Sequence, residues 1–152
     1  VRALVERAEE DVRSSFDLLS KTPADRRDAL RRFCVALYAR FRECPGYSSL
    51  LLTDELLPYA EGFAGQLSAV LERQIWRLSG YIEEGMKSGA FRSDIEPQAA
   101  AHMFLGAVRL EITRRHLEGG DWSPEEQGRQ TAELCIRVLS SFPADDAKGK
   151  KF

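Results

Sequence analysis

The sequence predicts an all-α fold, a helical bundle of five main helices plus one short helix, in a single domain over residues 1–143. Leu, Ala, Arg, Glu and Lys supply 72 of the 152 residues, close to the half-share typical of helical proteins, whereas Val, Ile and Thr supply 16. Apolar residues also recur at three- and four-residue steps, and short turns rather than linkers separate these stretches. The charged residues 144–152 are expected to form a loose tail.

The composition excludes several classes of protein. The net charge of −2 gives no electrostatic case for nucleic-acid binding by this chain. A composition that is 43% hydrophobic and 30% charged excludes a disordered tail, and the longest apolar stretch, Cys34 to Ala39, is far too short to span a membrane. The three cysteines have no metal-ligand spacing, so we expect reduced, buried thiols in a soluble cytoplasmic protein without a cofactor.

The first two helices follow from their apolar spacing and their boundaries. Residues 1–20 form an amphipathic helix, with apolar positions at Leu4, Val5, Ala8, Val12, Phe16 and Leu19. Thr22 is expected to cap a second helix, with Pro23 at its first position and Asp25 in its first turn. This helix ends before Cys44, because proline disfavours a helical residue before it. Its apolar stripe is Leu30, Phe33, Leu37 and Phe41.

The sequence pattern in the middle of the chain predicts the short helix and, after it, the longest helix. The short helix falls within Tyr47 to Leu57, and the long helix follows Pro58 and extends to about Ser88. Gly89 ends the long helix because glycine adopts a left-handed C-cap at no steric cost, and Phe91 can fold back over the last turn.

Two further helices complete the bundle. The first opens at Glu96-Pro97 and extends through Leu117 until Gly119-Gly120 breaks it. Ser123-Pro124-Glu125-Glu126 then forms a capping box for the last helix, which is expected to extend to about Phe142.

Each of these last two helices has two apolar faces. In the first of them, Ala101, Phe104, Leu105, Val108 and Ile112 form one stripe, and a second stripe lies nearly opposite. A helix that is apolar on two sides needs a covering surface on each side. The core covers one side, and a second copy of the chain can cover the other. Alternatively, both helices lie at the centre of the monomer, which then covers both sides. We expect a homodimer with a four-helix interface, built from Ala107, Leu110, Arg114, Leu117, Ala132, Ile136 and Leu139.

The sequence shows no catalytic constellation, so we do not expect an enzyme. A di-iron bundle needs Glu-x-x-His motifs, but Ala99 precedes His102 and Thr113 precedes His116 at that spacing. No local signature of a nucleophile surrounds any of the three cysteines. The abundant aromatic residues are then either core or the lining of a cavity, in which Gln74, His102 or Arg109 orients a ligand.

The segment from Ile82 to Ala101, IEEGMKSGAFRSDIEPQAAA, followed by Phe104 and Gly106, resembles the C-terminal domain of TetR-family transcriptional repressors. In that family a long helix ends in a Gly-x3-Gly-x-Phe-Arg corner, and an Asp-x2-Pro-x2-Ala-Ala opening starts the dimerisation pair. The order of the other helices also matches, with residues 1–20 in the place of the helix that connects to the DNA-binding head.

The resemblance implies a ligand-sensing and dimerisation domain. A small, mostly apolar effector would enter a cavity between the helices, tilt the connecting helix and change DNA binding by an N-terminal helix-turn-helix head absent from this chain. Arg109 suggests an acidic ligand. The residues placed near the cavity are Phe33, Leu37, Phe41, Phe63, Gln74, Trp76, Met103 and Arg109. The alternatives are a stand-alone helical adaptor that dimerises and holds a protein partner, and a helical enzyme acting on a hydrophobic substrate.

Overall fold

The computed structural model describes residues 2–20, 25–44 and 63–140, and the described residues form five α-helices and no β-strand. These are α1 (Arg2–Ser20), α2 (Arg26–Glu43), α3 (Phe63–Lys87), α4 (Pro97–Glu118) and α5 (Pro124–Leu139). The all-α prediction is therefore confirmed. The predicted short helix within 47–57, the start of the long helix at Pro58 and the tail 144–152 lie outside the described residues.

The start of α2 differs from the prediction. Asp25 is the N-cap, and its carboxylate accepts hydrogen bonds from the backbone N–H groups of Arg27 at 2.9 Å and Asp28 at 3.4 Å. Asp25 therefore satisfies two backbone donors that have no partner inside the helix. The prediction that Thr22 caps this helix was wrong, because α2 begins three residues after Pro23.

The two later helices begin where the sequence predicts. Glu96 caps α4, and its side chain accepts from the backbone N–H groups of Gln98 at 2.9 Å and Ala99 at 2.6 Å. Ser123 caps α5 by accepting from the N–H of Glu126 at 3.2 Å, which is one half of the predicted capping box, whereas the Glu126 carboxylate accepts from the Gln130 amide at 3.3 Å instead of from the Ser123 N–H. Because Leu139 is the last residue of α5, this helix ends before the predicted Phe142.

A tight corner joins α3 to α4, as the glycine pattern predicts. Gly89 adopts a φ of 79°, and the ring of buried Phe91 folds back onto Gly85. A Cβ at Gly85 would lie 2.0 Å from a ring carbon of Phe91, so only glycine fits there. The backbone N–H of Arg92 then donates to the carbonyl of Leu139 at 2.7 Å. This bond attaches the corner to the end of α5.

The core is centred on α2, which packs most extensively on α5. Gly128 of α5 lies against the backbone of Val35, and the Tyr38 hydroxyl is 2.9 Å from the Thr131 hydroxyl. On the other side of α2, the rings of Phe16 and Phe33 are 4.7 Å apart and join α1 to the core. The remaining large interface is between α3 and α4. No helix among the described residues has the length and apolar character needed to cross a membrane.

Candidate functional site

The outer surface of α4 carries a row of exposed apolar side chains. The buried row of this helix consists of Ala101, Phe104, Val108 and Ile112. Nearly opposite, Met103 is 52% exposed, Leu110 70% and Leu117 74%. We call the exposed row, together with Ala107, the α4 apolar face. It corresponds to the stripe that the sequence analysis assigned to a second copy, and the described part of the chain leaves it uncovered.

Arg114 lies on the α4 apolar face but is balanced by its own helix. Its guanidinium donates to Glu111 at 2.7 Å and to Glu118 at 2.7 Å. The hydrogen bond to Glu111 raises the pKa of Arg114, and the same contact is the first cause of a lowered pKa at Glu111. The guanidinium therefore adds no unbalanced charge to an otherwise apolar surface.

The assignment of the α5 interface residues needs a correction. Ala132, Ile136 and Leu139 are buried in the core, so they are not available to a partner. Together with Cys135 they form one stripe, because positions 132, 135, 136 and 139 lie on the same side of a helix. The apolar residue that α5 exposes is Leu134, at 62%.

Three of the residues predicted near a cavity belong to α2, where two of them are core. Phe33 and Leu37 are buried, and Phe33 packs on Phe16. Phe41 is partly buried and lines a pocket at the end of α2. The side chain of Phe63 lies outside the described residues.

Gln74 lines a narrow groove of about 90 Å³ between α1 and α3. Ion pairs join the two helices beside it, since Arg73 contacts Glu9 and Arg77 contacts Asp17 at 2.9 Å. Apolar side chains of Val12, Phe16 and Val70 complete the lining.

Trp76 lies outside this groove, on the opposite side of α3. Its side chain is 77% exposed and lines an open groove of about 660 Å³ between α3 and α4, together with His102. Met103 is part of the α4 apolar face, and half-buried Arg109 has a pKa lowered by burial. The predicted ligand residues therefore do not surround one cavity: Phe33 and Leu37 belong to the core, Phe41, Gln74 and Trp76 line three separate pockets, and Met103 lies on the α4 apolar face.

The sequence analysis missed a contact of Arg42 with Asp121 and Trp122. The Arg42 guanidinium donates to the Trp122 carbonyl at 2.6 Å and to the Asp121 carboxylate at 2.5 Å, and it lies 5.9 Å from the centre of the Trp122 ring. About 80 positions separate these residues, so no local spacing indicates the contact.

The buried thiols have the properties of structural cysteines. Burial is the first cause of a raised pKa at both Cys34 and Cys135, where the pKa of Cys135 reaches about 12. A thiol that keeps its proton at neutral pH is a poor nucleophile. Within the described ranges, no three His, Cys, Asp or Glu residues are grouped so that they could hold a metal ion.

Comparisons of the chain with family models, with curated proteins and with solved structures found no match.

Proposed function

We propose that this chain is the ligand-sensing and dimerisation body of a TetR-like transcriptional repressor. In this proposal a small hydrophobic effector shifts the dimer between two arrangements, and an N-terminal helix-turn-helix head outside this chain binds DNA. The resemblance of the Ile82 to Ala101 segment supports the proposal, as does the order of the helices. The single observation that carries it is the α4 apolar face.

Exposure of the α4 apolar face to water is unfavourable in free energy. Burying a leucine side chain stabilises a protein by roughly 1.5–3 kcal/mol, and Leu110 and Leu117 are each about three-quarters exposed. A symmetric dimer would cover both leucines on each copy, so about four leucine side chains would contribute. Their sum, about 4–9 kcal/mol after scaling by exposure, is comparable with the entropy lost on association. Met103 and Leu134 would supply part of the remaining stabilisation.

The mechanism requires that effector binding moves α1, which would connect to the DNA-binding head. A ligand shifts such an equilibrium only if it binds one arrangement more tightly than the other. The groove beside Gln74 supports this role for α1, because a molecule that entered there would separate α1 from α3. The effector would be small and mostly apolar, and acidic if a guanidinium contacts it.

The oligomeric state tests the proposal. Sedimentation equilibrium at micromolar concentration is expected to give a dimer for the unmodified chain and a monomer for Leu110→Glu, because a carboxylate would be buried without a partner. Ala3→Glu adds the same charge at an exposed position of α1 and should remain a dimer. A monomeric mass for the unmodified chain would refute the proposal.

The α4 apolar face also suits a stand-alone helical adaptor that holds a protein partner. The upstream coding sequence separates the two functions, since a repressor needs about 45–50 preceding residues with a helix-turn-helix pattern. A thermal-shift screen with hydrophobic acids adds a second criterion, because a ligand that binds only the folded chain raises its melting temperature.

A further inference from the structure

A pocket of about 200 Å³ lies at the end of the bundle where α2 and α4 terminate. Its described lining residues combine cationic and apolar side chains with the Gly119-Gly120 turn, and none of them is an acid. They include Arg42, Arg115, His116, Phe41, Ile112 and Trp122. This pocket is separate from the α4 apolar face and from the groove beside Gln74.

The cationic side of the pocket has donors to offer to an anion. Arg42 binds Asp121 at 2.5 Å, but the Asp121 side chain is 90% exposed, so a competing carboxylate can replace it at little cost. Arg115 donates to Glu111 at 2.8 Å, where Glu111 is shared with Arg114, and a second Arg115 nitrogen donates to the side-chain oxygen of Gln127 at 2.8 Å. A guanidinium has five N–H donors, so these contacts leave others available. The exposed ring of His116 has no hydrogen bond to the described part of the chain.

The apolar side of the pocket consists of one aliphatic and two aromatic side chains. Ile112 is fully buried, Phe41 and Trp122 are partly buried, and the Arg42 guanidinium lies over the Trp122 ring. An apolar cavity of about 150 Å³ holds benzene in other proteins. A pocket of about 200 Å³ therefore has room for a six-membered ring with one small polar substituent.

We propose that this pocket binds a small aromatic carboxylate. The carboxylate contacts Arg42 and Arg115, displaces Asp121 and comes within reach of His116, while the ring packs against Trp122 and Phe41. Charge-assisted and bidentate hydrogen bonds make guanidinium the preferred partner for a carboxylate. The proposal does not depend on a role in transcription, so it can fail or succeed independently of dimerisation.

The first test uses benzoate as the probe with the full chain. Calorimetric titration is expected to give saturable binding of one benzoate per chain. Fluorescence in a Trp76→Phe background should change on binding, because Trp122 is then the only indole. Benzamide removes the charge and acetate removes the ring, so each should bind at least about tenfold more weakly. Equal binding of benzoate and benzamide would overturn the proposal, as would an absence of saturable benzoate binding.

The second test uses charge-removing variants. Arg42→Gln and Arg115→Gln should each weaken benzoate binding by about tenfold or more, because each removes a charge-assisted hydrogen bond. Arg137→Gln removes the same charge from an exposed position near the far end of α5 and should bind as the unmodified chain does. If circular dichroism shows that the variants at Arg42 or Arg115 are unfolded, the exposed His116→Gln serves instead, with a severalfold weakening expected. Unchanged affinity in every folded pocket variant would contradict the proposal.

Discussion

Gly128 lies where α5 approaches α2 most closely, and a methyl group there would meet backbone rather than a side chain. A Cβ at this position would lie 2.5 Å from the Val35 Cα, 2.6 Å from the Val35 nitrogen and 2.9 Å from the Cys34 carbonyl carbon. Ordinary contacts begin at 3.4 Å. Gly128→Ala therefore requires the two helices to separate by about 1 Å, because backbone atoms cannot rotate away as a side chain can.

The free energy of unfolding should fall by about 2 kcal/mol. Overpacking a core costs about 1–3 kcal/mol, and a backbone clash belongs at the upper end of that range. The higher helix propensity of alanine than of glycine offsets up to about 1 kcal/mol of this cost. For a domain of this size the melting temperature should fall by about 4–8 °C.

Gly80→Ala is the matched control. Gly80 also lies in the middle of a helix, but a Cβ there would meet nothing within 4 Å. Only the propensity gain of about 1 kcal/mol remains, so this variant should be more stable than the unmodified chain. Urea denaturation followed by far-UV circular dichroism, at one fixed protein concentration, measures both changes. If Gly128→Ala is as stable as Gly80→Ala, the close approach of α2 and α5 described above is wrong.

Three further predictions concern titration and capping. Thiol-labelling reagents should modify partly exposed Cys44 first. Cys34 and Cys135 should react only on unfolding, because both are buried and have a raised pKa. Equal labelling rates at all three cysteines in the native chain would contradict this prediction. Burial raises the pKa of Tyr38 from 10.0 to about 12, so the unfolded chain loses this proton at a lower pH than the folded chain does. Stability should therefore fall as pH rises above about 10. Unfolding curves at pH 9 and 11 would show this fall in the unmodified chain, and Tyr38→Phe should lack the part of it that is due to Tyr38. Glu96→Ala removes the acceptor for two N–H groups at the start of α4 and should destabilise the chain by about 0.5–2 kcal/mol in chemical denaturation, whereas Glu125→Ala, at an exposed non-capping position, should change stability less.

Much of the fold is predictable from the sequence because its boundaries are local chemistry. The corner at Gly89 and Phe91 involves residues a few positions apart, and so does the Ser123 cap. The error at Thr22 has a local cause as well, since Thr22-Pro23 and Asp25 both offer a helix start and only one can be the cap.

The candidate site was less predictable because its residues meet only through tertiary packing. Apolar periodicity shows that α5 has an apolar face but not which side α2 covers. That side is set by the close approach at Gly128, which buries Ile136 and exposes Leu134. The contact between Arg42 and Trp122 joins the end of α2 to the segment before α5, and no periodicity relates these two parts of the chain.

The two edges of α1 are held by interactions of different physical character. Along α2 the contact is apolar, through Phe16 and Phe33, whereas along α3 it includes the partly exposed pairs of Arg73 with Glu9 and Arg77 with Asp17. Dissolved ions screen exposed charges over about 8 Å at physiological ionic strength, and they do not weaken apolar contacts in this way. Rising salt concentration should therefore weaken the contact of α1 with α3 more than its contact with α2.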